Sequence, residues 1–307
     1  MNIIKKIAKR FFKNDRTANT DAQTELENLR KRTGIFPPGH FYSPIPDLEE
    51  VRRAEHIIWS PPSREIEGVD LNTGMQEKLL KQFPAFYKEM PFSEKKKDGL
   101  RYYFENPAFS YTDAIILYSM IRRAKPRHII EVGSGFSSCV TLDTNDIFFG
   151  GAIKTTFIEP YPDLLHSLLK GEDREKARIL PMRLQDTPLS EFDVLRKNDI
   201  LFIDSTHVSK VNSDVNHIFF NILPRLKSGV IIHFHDIFPG FEYPKSWVFE
   251  GRAWNEDYML RAFLQYNHAF KVLFFNAYMC AFYEEYIRKH MPLCLKNVGG
   301  SLWMQKL

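Results

Sequence analysis

The chain has 307 residues, 44% of them hydrophobic, and a formal net charge of +4. That length suits one large domain or a domain with an appendage, and charges this interspersed argue against a nucleic-acid binder. The three cysteines, Cys139, Cys280 and Cys294, show no CxxC spacing and sit among apolar neighbours, which argues against disulfides or zinc and for a reducing, cytoplasmic setting.

In chain order, residues 1–13 read MNIIKKIAKRFFK and mix Ile3, Ile4, Ile7, Phe11 and Phe12 with Lys5, Lys6, Lys9, Arg10 and Lys13. On helical spacing this gives an apolar face and a basic face. Two readings follow: a docked terminal helix, or a helix lying on an anionic membrane surface. No stretch reaches the roughly 18 apolar residues of a spanning helix. No apolar signal region opens the chain. Residues 14–36 are polar and charged. The stretch GIFPPGHFYSPIPD, residues 34–47, has four prolines and cannot be regular structure, yet its rings suit docking on a neighbour. A helix is expected over 75–87, then a charged loop, SEKKKDG. A further helix starts at Ser110 or Thr112, runs to about Ala124 and stops at Pro126. The expected organisation is an N-terminal extension and cap, 1–100, and a main domain, 101–307.

From residue 128 onward, apolar strand-like runs alternate with helical segments. Strands are expected at 128–132, 154–159, 178–182, 200–204, 230–235 and 270–276. Helices are expected at 137–148, 162–170, 211–226 and 255–265. The alternation implies an α/β fold with a doubly wound, mostly parallel sheet. Ligands in such sheets bind outside the carboxyl ends of the strands, so the strand ends carry the chemistry.

The first strand runs into Glu131-Val-Gly133-Ser134-Gly135, a glycine turn opening onto a helix. Backbone there can approach a ligand closely. A dinucleotide fingerprint would place a third glycine where Ser138 stands, and a carboxylate at Glu131 repels a pyrophosphate. The second strand ends in Glu159, suited to ribose hydroxyls or simply an exposed strand-end acid. Gln185 and Asp186 follow the third strand. The fourth ends in Asp204-Ser-Thr-His207, the fifth in His233-Phe-His235-Asp236.

This order, EVGSG, a strand-end acid, a polar residue after strand three, LFIDSTH and GVIIHFHD, resembles the class I S-adenosylmethionine-dependent methyltransferases. More narrowly it looks like the bacterial branch near the cephalosporin-hydroxylase-like and macrolide-sugar O-methyltransferases. The closing GGSLWMQK is similar to the last, antiparallel strand of that fold, a seven-stranded Rossmann-like sheet. The resemblance covers about residues 100–307. It implies that Glu131, Gly133, Ser134 and Gly135 hold the methionine part of S-adenosyl-L-methionine and that Glu159 binds its ribose. It places Gln185 or Asp186 at the adenine, Asp204 beside the cofactor, and Asn106 and Ser110 as further contacts.

A hydroxyl acceptor must lose its proton, which calls for a base or a metal. Asp204, His235 and Asp236 are expected to converge on a divalent cation, magnesium or manganese, the histidine favouring a transition metal. The metal-free alternative makes His207 or His235 the base, with Asp236 orienting a histidine. The catalytic set is therefore Asp204, His207, His235 and Asp236. A purely structural reading, with His207, His217, His233 and His235 as satisfied strand-end polar groups, stays open. Asp214 either faces the cleft or is solvated. The aromatic run IFPGFEYPKSWVFEGRAWNE is expected to form an acceptor lid with the segment around Tyr42.

The functional expectation is O-methylation of a hydroxyl on a sugar or glycan-linked small molecule. The alternatives are an NAD-linked enzyme on a similar sheet, or a non-catalytic adaptor that keeps the fold. The expected partner is a small-molecule or glycan acceptor and not nucleic acid, with peripheral membrane contact through residues 1–13 as an option. Oligomeric state is not legible.

Overall fold

The structure is a computed structural model that describes residues 23–24 and 34–307. The amphipathic segment 1–13, with its membrane option, and most of the polar stretch after it lie outside the described residues. In chain order the helices are α1 Leu48–Ile58, α2 Thr73–Tyr87, α3 Tyr111–Ala124, α4 Phe136–Phe149, α5 Asp163–Leu168, α6 Asp173–Lys176, α7 Asp214–His217, α8 Lys245–Phe249, α9 Glu256–Leu264, α10 Asn276–Phe282 and α11 Glu284–His290. The strands are β1 His128–Val132, β2 Lys154–Ile158, β3 Arg178–Leu180, β4 Ile200–Ile203, β5 Ile231–His235, β6 Phe270–Phe275 and β7 Ser301–Lys306. Among the described residues no helix is long and apolar enough to cross a membrane.

One seven-stranded sheet has the order β3-β2-β1-β4-β5-β7-β6. Pairs among β1 to β5 are parallel, and β7 runs antiparallel to both β5 and β6. The central strands read as unbroken apolar runs because helices cover both faces: all residues of β4 and β5 are buried. Burying each large apolar side chain contributes about 1.5–3 kcal/mol. The chain order reverses between β1 and β4, which opens a crevice at their carboxyl ends. Register levels the site: Val132 lies opposite both Ile158 and Ile203, and Ile203 opposite Phe234. Gly133, Glu159, Asp204 and His235 therefore leave the sheet at one height.

All six strands expected from the apolar runs are present, and the closing segment is the antiparallel β7. The helix expected over 211–226 is shorter and irregular. After α7 it widens to a π turn at Ile218–Ile222 and tightens to a 3-10 turn at Leu223–Arg225. Pro224, which has no N–H to give to a helical carbonyl, sits in that last turn.

The described residues divide into two compact units, 61–245 with 254–307, and a smaller one made of the described residues up to 60 with 246–253. The expected boundary at residue 100 shifts to about 60, because residues 61–100 belong with the sheet. Gln76 of α2 accepts from the Phe275 amide at 2.8 Å, Asn72 donates to the Val272 carbonyl at 2.8 Å, and Phe83 packs edge-on against Phe274. Arg101, buried, forks onto Asp143 and Asp146 of α4 and Asp173 of α6. In the smaller unit, Asp47 caps α1 by accepting from the Glu49 amide at 2.8 Å. Phe249 there packs on Trp59 and under the Arg52 guanidinium.

Candidate active site

Gly133 ends β1 with φ +74°, and a Cβ there would run into the Asp204 carbonyl oxygen. Only glycine lets the β1 turn press against the end of β4 in this way. Beyond it, Ser138 of α4 accepts from the Gly135 amide at 3.1 Å, tying the helix start to the turn. Glu131 lies behind this turn, fully buried. One of its oxygens accepts from Ser137 at 2.6 Å and from Ser138 at 2.7 Å, while the other has no partner among the described residues. Burial pushes the Glu131 carboxyl up to about 8, against the pull of the two hydroxyls.

Glu159 follows β2 and accepts from the Ser134 amide at 3.2 Å and the Tyr161 amide at 2.8 Å. Each carboxylate oxygen keeps a second lone pair for a ribose hydroxyl. The Ser134 hydroxyl is buried and unpartnered among the described residues. A glycine turn with an unsatisfied hydroxyl and a strand-end acid fits the methyl donor named above. The remaining expected contacts differ. Asp186 is exposed and held by the Arg183 fork at 2.7 and 2.9 Å. Gln185 donates to the Asn212 carbonyl at 2.7 Å. Asn106 spends both ends of its amide on its own loop, at Tyr103, Ala108 and Phe109, and Ser110 donates to the Phe104 carbonyl.

At β4 and β5 the structure gathers a denser cluster. Ligand atoms of Asp204, His207 and Asp236 all lie within 4.8 Å of one another. His207 Nε2 is 3.3 Å from Asp204 and 3.5 Å from Asp236, and its Nδ1 is 2.8 Å from Glu256. Where Asp204, His235 and Asp236 were expected to converge, His207 is the histidine between the two acids. The reason is backbone shape. His207 and Asp236 both adopt left-handed conformations, φ +59° and +56°, which fold the loop after β4 back and turn Asp236 toward it. His235 stays on the strand, 3.5 Å from the other Asp236 oxygen.

Surrounding bonds hold the loop. Asp214, at the start of α7, accepts from the Thr206 amide at 2.8 Å and hydroxyl at 2.7 Å. It therefore locks the loop. The His207 carbonyl accepts the Asn255 and Glu256 amides at the start of α9. Ser205 donates to Glu256 at 2.9 Å, and Trp254 packs on the His207 ring at 4.4 Å. Sequence reading missed Glu256, because an acid in the first turn of a helix is ordinary. The signal available was its place just after the aromatic run.

Burial would lower the His207 pKa, but hydrogen bonds to Asp204 and Glu256, with their charges, raise it well above the usual value. Burial would raise Asp204, yet His235 and His207 hold it below the ordinary range. Asp236 is raised by burial, partly offset by the two histidines. His235 is raised because Asp236 and Asp204 outweigh its burial, whereas burial drives His233 well down. His217, at the end of α7, pairs with Asn221 of the following π turn, outside the cluster. From the aromatic run, Phe241 and Tyr243 are core residues, 1% and 2% exposed.

Residues 130–237 match the model of a methyltransferase domain. An uncharacterized protein of Archaeoglobus fulgidus is 37% identical over 180 residues, covering 57% of this chain and 80% of that protein. Among solved structures, the O-methyltransferase TomG from Streptomyces achromogenes, in complex with S-adenosylmethionine, is similar at 14% identity. It covers 85% of this chain and 96% of its own, with a TM-score of 0.43. A cmcI structure with magnesium and S-adenosylmethionine is similar at 15% identity, covering 85% and 96%, with a TM-score of 0.41. The chain therefore shares a family with the archaeal protein, and its residues 130–237 carry a methyltransferase domain.

Proposed function

We propose that the enzyme methylates a hydroxyl group, most simply on a sugar or glycan-linked small molecule, with help from a divalent cation. The observation that supports this is the meeting of Asp204, His207 and Asp236 one strand away from the glycine turn. An attacking oxygen must be placed in line with the donor methyl and relieved of its proton. A site for that oxygen next to Asp204 is also next to Gly133, where the donor is held in this reading.

The cluster fits a cation better than a lone base. Three carboxylates, Asp204, Asp236 and Glu256, surround one imidazole. Their charges favour the protonated form of His207, which weakens it as a base. Glu256 at Nδ1 leaves Nε2 to face Asp204 and Asp236, and a carboxylate that holds the far ring nitrogen in this way is usual for a metal-ligating histidine. Asp204, His207 and Asp236 would hold the ion, which when bound would stabilise the acceptor as an alkoxide. Glu256 orients His207, Ser205 orients Glu256, and Asp214 fixes the loop. Gly133, Ser134 and Gly135 would hold the methionine part of the donor, Glu159 its ribose, and Gln185 or Asp186 its adenine once the Arg183 fork yields. Glu131 acts from behind the turn, bracing α4.

The test is transfer of labelled methyl from S-adenosylmethionine to a panel of sugars, nucleotide sugars, catechols and amines, with EDTA or added manganese. Label on a hydroxyl acceptor, restored by manganese after EDTA, is the expected result. Label only on amines, indifferent to EDTA, would sink the proposal.

A further inference from the structure

We propose that the pole of the sheet opposite the active site is a docking face for an anionic lipid surface. None of the residues of the proposed chemistry takes part in it.

Strands β1 to β5 run parallel, so their amino ends share one edge while their carboxyl ends carry the site. At the amino edge stand Lys125 and Arg127 before β1, Lys154 at the start of β2, Arg196 and Lys197 before β4, and Lys227 before β5, all of them exposed. They are scattered along the chain and gathered in space, because every crossover between parallel strands returns the chain to this edge. Backbone bonds make the row continuous. The Lys154 amide donates to the Arg127 carbonyl at 2.9 Å, and Asp199, before β4, accepts from the amides of Arg127 and Arg196 at 2.8 Å each. The Asn198 amide donates to the Gly229 carbonyl at 2.9 Å. A Cβ at Gly229, φ +87°, would meet the Lys197 Cγ at 2.6 Å, so glycine is what lets that stem cross the turn before β5. From β2 to β5 the row crosses three strand spacings, about 14 Å.

The charge of this row is unbalanced. None of the six side chains forms an ion pair among the described residues. Asp199 is buried and occupied by backbone amides and the His128 ring. Asp193 faces Arg225 at 3.4 Å, and Lys227 reaches only the Asp193 backbone carbonyl, at 3.0 Å. Like charges gathered this closely repel one another, and an anionic surface relieves that repulsion. The stretches 125–128, 196–199 and 227–229 bring no Phe, Tyr or Trp on which a nucleic-acid base could stack. Headgroup phosphates in a plane need no such ring and no groove, and clustered lysines and arginines bind them by charge alone. Residues 1–13 carry five basic residues and no acid among Ile and Phe, the composition of a segment that adds apolar insertion to charge. Docking by the amino ends leaves the carboxyl ends, and the site on them, open to donor and acceptor.

The test is flotation of the full chain with vesicles of equal parts phosphatidylcholine and phosphatidylserine, against vesicles of phosphatidylcholine alone. Binding is expected to the anionic vesicles only, and salt should abolish it. Arg127→Gln with Lys154→Gln samples one side of the row, and Lys197→Gln with Lys227→Gln the other. Each pair should weaken binding about 25-fold, roughly fivefold per charge. Melting temperature and S-adenosylmethionine binding should stay as in wild type. A third variant, Lys5→Gln with Lys6→Gln and Lys9→Gln, asks whether residues 1–13 act alone. Loss of binding there with both pairs unchanged overturns the proposal, as does a wild type that ignores the anionic vesicles or binds the neutral ones equally. Tighter binding to an oligonucleotide than to the vesicles, weakened by the same two pairs, assigns the face to nucleic acid and overturns it as well.

Discussion

At the scale of single residues, His207 carries the site because its left-handed backbone brings one ring among three carboxylates. Glu256 is the member whose role separates cleanly from the donor. Glu256→Gln should weaken manganese binding roughly 10- to 100-fold and leave S-adenosylmethionine binding intact. Calorimetry with each ligand checks this, and parallel losses of both would refute it. Gly133→Ala should cost more than about 1 kcal/mol and abolish donor binding, since its Cβ meets the Asp204 carbonyl. A melting curve and a donor titration read both effects. Glu131 offers a test by pH. Its folded value of about 8 lies above the ordinary 4.5, so the folded state keeps a proton that the unfolded chain releases. That contribution is full below about pH 4.5 and is lost as pH rises to about 8. Glu131→Gln lacks this loss. Its melting temperature should gain on wild type across that window, and parallel curves would show the shift to be absent.

At the scale of elements, what was legible in the sequence follows from local pattern. Continuous apolar runs mark β1, β4 and β5 because both faces of the sheet are covered, and the glycine turn marks the ligand end. Contacts made far along the chain left no local trace. Glu256 meets His207 across 49 residues. Asp113 meets Ser301 across 188 residues. Both read only as first-turn helix acids. That His207, and not His235, stands between Asp204 and Asp236 was hidden for the same reason, because nearness to a strand end says nothing of a left-handed loop. The aromatic run expected as a lid divides instead: Phe241 and Tyr243 are buried core, while Phe249 packs with Trp59 in the smaller unit. Arg101 shows an element held by distant charge. It joins the segment before α3 to α4 and α6, with its side chain 1% exposed. Arg101→Met leaves Asp143 and Asp173 buried without their cation and should destabilise by about 3–5 kcal/mol in a urea melt. A loss under about 1 kcal/mol would mean water already serves those acids.

At the scale of the whole molecule, the sheet is the rigid body on which the site is built. Its central strands are buried throughout, while β3 at the edge is partly exposed. Amide exchange should be slowest in β1, β4 and β5 and faster in β3, the pattern of a scaffold that stays closed while its loops move. Uniform exchange across the sheet would contradict this. The residues of the proposed site all leave one end of that scaffold, Gly133, Asp204 and Asp236 from adjacent strands and Glu256 from the helix beside them.

The measurement that bears most directly on the proposed chemistry is a calorimetric titration of EDTA-treated protein with manganese, run with S-adenosylmethionine present. One ion per chain is expected, lost in Asp204→Asn and weakened in Glu256→Gln, with donor binding retained in both. Full donor binding with no bound ion in wild type would contradict a cation-assisted hydroxyl transfer and return the chemistry to the histidines alone.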